Sequence, residues 1–138
     1  MSLALDTNVV QALLEKNHPF QSDAVAALKR WGGQQLIISP FVYAEAHGIP
    51  SFDGSTFASF LQATGILVDK VLPDTLWQRA GEAHAAYHLR RRQQGQTEHR
   101  RILTDFLIGA HALEVQAPLL TFDPKGYRTA FSKLELLP

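Results

Sequence analysis

Short apolar runs recur along this chain, each followed by residues whose apolar positions fall at helical spacing. Leu3-Ala4-Leu5 leads into Val9, Val10, Leu13 and Leu14. QLIIS at 35–39, GILVD at 65–69, PLLT at 118–121 and LELL at 134–137 are further runs of the first kind. A strand without an alternating polar face is one covered on both sides. Strands separated by helices indicate a parallel sheet with helices on its two faces. The pattern therefore predicts an α/β fold with a mostly parallel sheet of about five strands flanked by helices. At 138 residues, with no internal repeat and no long linker, the chain reads as a single domain over 1–138.

Local signals delimit the helices. Pro19 ends the first, and SDAVAALKRW follows with Ser22 or Asp23 as N-cap and Gly32-Gly33 as the stop. Ser39 caps a compact helix with Pro40 in its first position and Gly48 after its end. Asp53 to Thr64 is a further helix. Pro73 opens the longest one, with Leu76, Ala80, Ala83 and Tyr87 along its buried side. ILTDFLIGAHALEVQ, at 102–116, is a strongly apolar helix. Trp31, Trp77 and the helically spaced phenylalanines are expected in the core.

Composition narrows the function. Apolar residues make up 46% of the chain, as in a globular protein. No apolar run reaches bilayer length, and Asp6 breaks the first one, so neither a membrane span nor a signal peptide is expected. There are no cysteines, which excludes disulfides, thiolate metal sites and a cysteine nucleophile and suits a reducing cytoplasm. Thirteen basic residues balance thirteen acidic ones, so the chain is not a globally basic nucleic-acid binder. A local basic patch is still expected, because Arg90, Arg91, Arg92, Arg100 and Arg101 crowd around QQGQ. They can contact a phosphate backbone. Equally, those in the last turn can complement a helix dipole, worth roughly 0.3–1 kcal/mol per charge. Lys125 and Arg128 lie close after Asp123.

Four acids stand in awkward places. Ligands bind an open parallel sheet beyond the carboxyl ends of its strands. Asp6 follows the first strand and Asp123 the fourth. Glu45 shares a helix face with Phe41, and Asp105 opens an apolar helix. An acid on an inward face costs roughly several kcal/mol unless paired or bound to a cation. Each also has a simpler reading: Asp6 and Asp105 as helix N-caps, Asp123 as a turn former before Pro124, Glu45 as a residue reaching solvent. Taken together, four acids at one sheet edge would repel one another, and a hard divalent cation such as Mg²⁺ or Mn²⁺ resolves that repulsion. Thr7, Asn8 and Thr121 are placed to orient them.

Other polar residues carry less. His84 and His88 are four apart, but the glutamate that follows the first histidine in zinc proteases is absent. His111 reads as a hydrogen-bonded core residue. Asp23, Asp53 and Asp74 stand where helices start.

Asp6-Thr7-Asn8 after a strand, Glu45 in a short helix, Asp105 in ILTDFLIGAHAL and Asp123 in LLTFD, in that order and at this length, resemble a PIN domain. The whole chain looks most like the VapC toxins of toxin–antitoxin pairs. The resemblance implies a three-layer α/β/α fold and a metal-dependent endoribonuclease inhibited by a VapB-like antitoxin. It implies that Asp6, Glu45, Asp105 and Asp123 bind one or two Mg²⁺ or Mn²⁺ ions, and that the protein forms a homodimer. Two other classes remain: a non-catalytic module whose acids dock a basic partner, and a phospho-accepting signalling domain. The latter wants an acidic pair after the first strand and a strand-end lysine, where this chain has Thr7-Asn8 and no evident lysine.

Overall fold

The computed structural model describes residues 1–95 and 102–138. Arg100 and Arg101 lie outside the described residues. Five strands form one sheet: β1 (Ser2–Leu5), β2 (Gln35–Ile38), β3 (Leu67–Val68), β4 (Leu119–Leu120) and β5 (Leu136–Leu137). Their order is β3-β2-β1-β4-β5 and every pairing is parallel. The last three strands are shorter than their apolar runs.

Leu3, Ala4 and Leu5 are all buried. Successive strand residues point to opposite faces, so both faces of β1 are covered. The covering helices are α1 (Thr7–Leu14), α2 (Gln21–Trp31), α3 (Pro40–Ala46), α4 (Gly54–Thr64), α5 (Asp74–Gln93), α6 (Leu103–Glu114) and α7 (Pro124–Ala130). α1 packs against α2 and α3, while α5, α6 and α7 pack against one another. No helix among the described residues is long and apolar enough to cross a membrane.

Side-chain caps start three of the helices, α1, α3 and α4. Ser39 Oγ accepts from the Val42 amide, and Asp53 accepts from the Thr56 amide. α2 departs from expectation: Phe20, not Ser22 or Asp23, holds its N-cap position. The Gln21 side-chain amide donates to the Glu15 carbonyl at 3.0 Å, and this tie to the end of α1 starts the helix early. α6 begins at Leu103, so Asp105 lies within its first turn and is not its cap. α7 was not anticipated. Its start follows the rule that proline suits the first helical turn.

Trp77, expected in the core, is a surface residue, 45% exposed. It lies edge-on to Phe41 instead of entering the interior. His111 is a hydrogen-bonded core residue as expected: it is buried, and its Nε2 donates to Asp69 Oδ2 at 2.8 Å. His84 and His88 face each other, Nε2 to Nε2 at 2.9 Å, and pack against aromatic rings.

Candidate active site

The chain lays β1, β2 and β3 outward in one direction and returns to add β4 and β5 on the other side of β1. The point where the order reverses is therefore the carboxyl end of β1 and β4. That crevice is where open parallel sheets bind ligands.

Asp6 stands in it. Its backbone amide donates to the Leu120 carbonyl at 3.0 Å, so the residue is locked between the two central strands. Its side chain is buried. Oδ1 accepts from the Thr7 amide at 2.8 Å and Oδ2 accepts from Thr121 Oγ1 at 2.7 Å. Asp6 does occupy the N-cap position of α1. Its bond goes to the first helical amide, however, where a cap ordinarily reaches the second or third. Burial raises the Asp6 pKa to about 6, the nearby Asp105 charge adds to that, and the bonds from Thr121 and Thr7 oppose it.

The supporting polar residues form one network. Thr121 has a single hydroxyl hydrogen, which goes to Asp6. Its oxygen therefore accepts from Asn8 Nδ2 at 3.4 Å and from the Asp123 amide at 3.0 Å. Asn8 Oδ1 accepts from the Phe122 amide at 3.3 Å. α1 is thus tied to the loop after β4. Thr7 Oγ1 donates to Glu45 Oε1 at 2.6 Å, which ties the start of α1 to α3.

Asp105 and Asp123 line one cavity of about 800 Å³ beside this network. Arg90, Arg91 and Lys125 line it too. The Arg91 guanidinium lies over the Tyr87 ring, 5.8 Å from its centre. Arg92 and Arg128 are exposed and are not among the described residues that line the cavity. A basic wall beside an acidic floor is the arrangement expected where a polyanion must be held against carboxylates.

One member was missed in the sequence. Tyr127, on α7, is 2% exposed, and its hydroxyl faces Asp6 with Asp105 and Glu45 around it. It stands near enough to Asp6 to favour the ionised carboxylate as a hydrogen-bond donor would, yet distance and angle do not close a hydrogen bond between them. Burial, followed by the charges of Asp6 and Asp105, pushes the phenol far above its ordinary pKa, so it remains a donor. The available signal was Tyr127 and Phe131, four apart in PKGYRTAF, an apolar pair at helical spacing.

The acids meet at one end of the sheet but not in one ready ligand set. Among the described residues, no three acidic or histidine side chains stand close enough to hold a metal ion as they are. The bonds from Thr7 and Thr121 hold Asp6 and Glu45 in their present directions, and like charges favour the spread. The donors are all oxygens, one of them a carboxylate kept from water, and a partnerless phenol lies among them. That set suits a hard divalent cation.

An α/β domain with acids gathered at its switch point defines the class, and the comparisons give the family. The family profile of the PIN domain matches residues 3–132, and the chain belongs to that family. No curated protein sequence matches it. Among solved structures, VapBC2 from Rickettsia felis bound to a DNA fragment from their promoter is similar at 22% identity and TM-score 0.66, over 99% of this chain and 98% of that one. FitAcB from Neisseria gonorrhoeae is similar at 19% identity and TM-score 0.67, over 100% and 97%. A toxin–antitoxin complex from Klebsiella pneumoniae is similar at 17% and 0.63, over 99% and 96%.

Proposed function

We propose that the protein is a divalent-cation-dependent endoribonuclease that hydrolyses RNA phosphodiester bonds in the cytoplasm and is held in check by a VapB-like antitoxin. The observation that carries this reading is Asp6, a buried carboxylate at the sheet's switch point with Asp105 and Glu45 close by. Asp6 and Asp105 would hold the principal Mg²⁺ or Mn²⁺ ion. Glu45 and Asp123 would complete its shell or hold a second. The ion, when bound, supplies an activated water and neutralises phosphate charge. Side-chain rotation must bring the carboxylates inward, since no three of the described ones are yet within reach of one ion.

The chain's other residues divide the remaining work. Thr7 and Thr121 orient the carboxylates of Glu45 and Asp6, and Asn8 braces Thr121. Arg90, Arg91 and Lys125 hold the RNA backbone along the cavity wall. An antitoxin segment that covers this cavity would block the site, and the relatives solved as VapBC and toxin–antitoxin complexes support such a partner. A homodimer belongs to the same reading. Leu89, Ile102 and Leu103, all about half exposed, are apolar surface for it to cover.

The test is cleavage of a mixed RNA pool by the purified protein with Mg²⁺ or Mn²⁺, and again with EDTA. Asp105→Asn, shown to be folded by circular dichroism, runs alongside. Cleavage should need the cation and fall to background in the variant. Cleavage that persists in EDTA or in Asp105→Asn, or no cleavage with either cation, counts against the reading.

A further inference from the structure

We infer that Tyr127 is a positioning residue whose buried hydroxyl donates a hydrogen bond to the Asp6 carboxylate when that carboxylate turns toward a divalent cation. The inference rests on the nuclease reading above and adds to it a group outside the four acids and their threonine and asparagine supports.

The fold takes trouble to bring this phenol in. Asp105 and Gly109 are one turn apart on α6 and so share a face. At Gly109 the missing side chain lets α7 lie directly on α6. A Cβ there would stand 2.6 Å from Phe131 Cδ2 and 3.2 Å from Tyr127 Cδ1. The ring of Phe131 fills that gap with the ring of Tyr127 beside it, and the Tyr127 hydroxyl lies within the influence of Asp6, Asp105 and Glu45. Phenylalanine would fill the same space. The oxygen is sealed from water and closes no hydrogen bond, although it is near enough to Asp6 to favour the ionised carboxylate. A buried hydroxyl without a partner is unfavourable to the fold, so its use lies in a state where it has one.

Asp6 can be that partner. An ionised carboxylate has about four acceptor positions. The Thr7 amide and the Thr121 hydroxyl occupy two of them. The Thr7 donor is a backbone amide, and the Thr121 hydroxyl is held by its further bonds from Asn8 and the Asp123 amide. The Tyr127 hydroxyl is a donor with no such commitment, reaching Asp6 from a separate helix. Groups that orient a ligating carboxylate typically alter metal affinity about 10–100-fold.

The experiment measures Mn²⁺ binding to the wild-type chain and to Tyr127→Phe by calorimetry. Each protein's thermal midpoint is taken in EDTA, and RNA cleavage is followed against Mn²⁺ concentration. Tyr127→Phe should bind Mn²⁺ about tenfold or more weakly. Its cleavage should recover at saturating Mn²⁺, and its midpoint in EDTA should be equal or higher, because no hydrogen bond is lost. Equal Mn²⁺ affinity in the two proteins would overturn the inference and leave the nuclease reading standing. A lower midpoint in EDTA would also overturn it, by assigning the hydroxyl to the fold. A wild-type chain that binds no Mn²⁺ would overturn both readings at once.

Discussion

His111 with Asp69 and Tyr127 with Asp6 are two buried polar meetings built to opposite standards. His111 on α6 meets Asp69 just beyond β3, Nε2 to Oδ2 at 2.8 Å, and Asp69 continues the ladder through its own amide to the Ile38 carbonyl. A histidine that is 1% exposed is thereby matched, and α6 is fastened to the edge of the sheet. Asp6 and Tyr127 lie at the centre of the sheet instead. There one carboxylate is kept from water at a cost in pKa, the charge of Asp105 adds to that cost, and the phenol beside it closes no hydrogen bond. The pair that fastens α6 to the sheet has its partner in place. Where charge is gathered and left incompletely matched, folding is not the beneficiary, and strained electrostatics of that kind cluster at functional sites.

The largest effect that would sharpen this contrast is at Asp6. Its folded pKa of about 6 lies above its ordinary 3.8, so the folded state holds the proton more tightly than the unfolded one. The resulting stabilisation is complete below about pH 4 and is lost as pH rises toward 6 and beyond, a change of about 3 kcal/mol at most. In EDTA, the wild-type thermal midpoint should therefore fall from pH 4 to pH 7 relative to Asp6→Asn, which lacks that titration. Mn²⁺ should restore stability at pH 7 and do so poorly at pH 5, where protons compete for the carboxylate. Parallel midpoint curves for the two proteins would break the comparison.

The matched pair should behave in the other way. Asp69→Ala leaves His111 buried without its partner and should cost about 1–3 kcal/mol in chemical denaturation. Cleavage per folded molecule should not change. A loss of activity larger than the loss of folded protein would mean that this pair also serves the site. The smallest effect is expected at the cavity wall. Lys125→Ala should weaken RNA binding a few-fold and flatten its salt dependence by about one charge, with the maximal cleavage rate kept. An unchanged salt slope would remove Lys125 from the backbone contacts.

Much of this was open to reading in the amino-acid order, and the parts that were not share a cause. The strands showed because their apolar runs need no partner to be recognised. The acids showed because carboxylates at strand ends have few structural uses. The network around Thr121 was legible only as a guess about supporting hydroxyls, since its bonds to Asp6 and Asn8 join residues more than a hundred positions apart. Tyr127 was missed because Asp-Pro-Lys-Gly reads as a turn, and the helix it opens is held by contact with Gly109, a tertiary matter. Trp77 was placed inside by hydrophobicity alone. In a domain this small, the helix faces offer more apolar area than the interior can take.

The order of strands has a temporal consequence. β1 finds β2 early, since only about thirty residues separate them, but its other neighbour is β4, and the hydrogen bond from Thr121 to Asp6 spans 115 positions. A chain growing from the ribosome thus carries Asp6 and Glu45 through the making of β3 and α4 to α6 without Thr121, Asp123 or Tyr127 beside them. Fragments that stop short of β4 would hold three of the four acids but none of the groups that brace Asp6 from the far side of β1, so on the proposed reading the site is completed only once β4 and α7 are made.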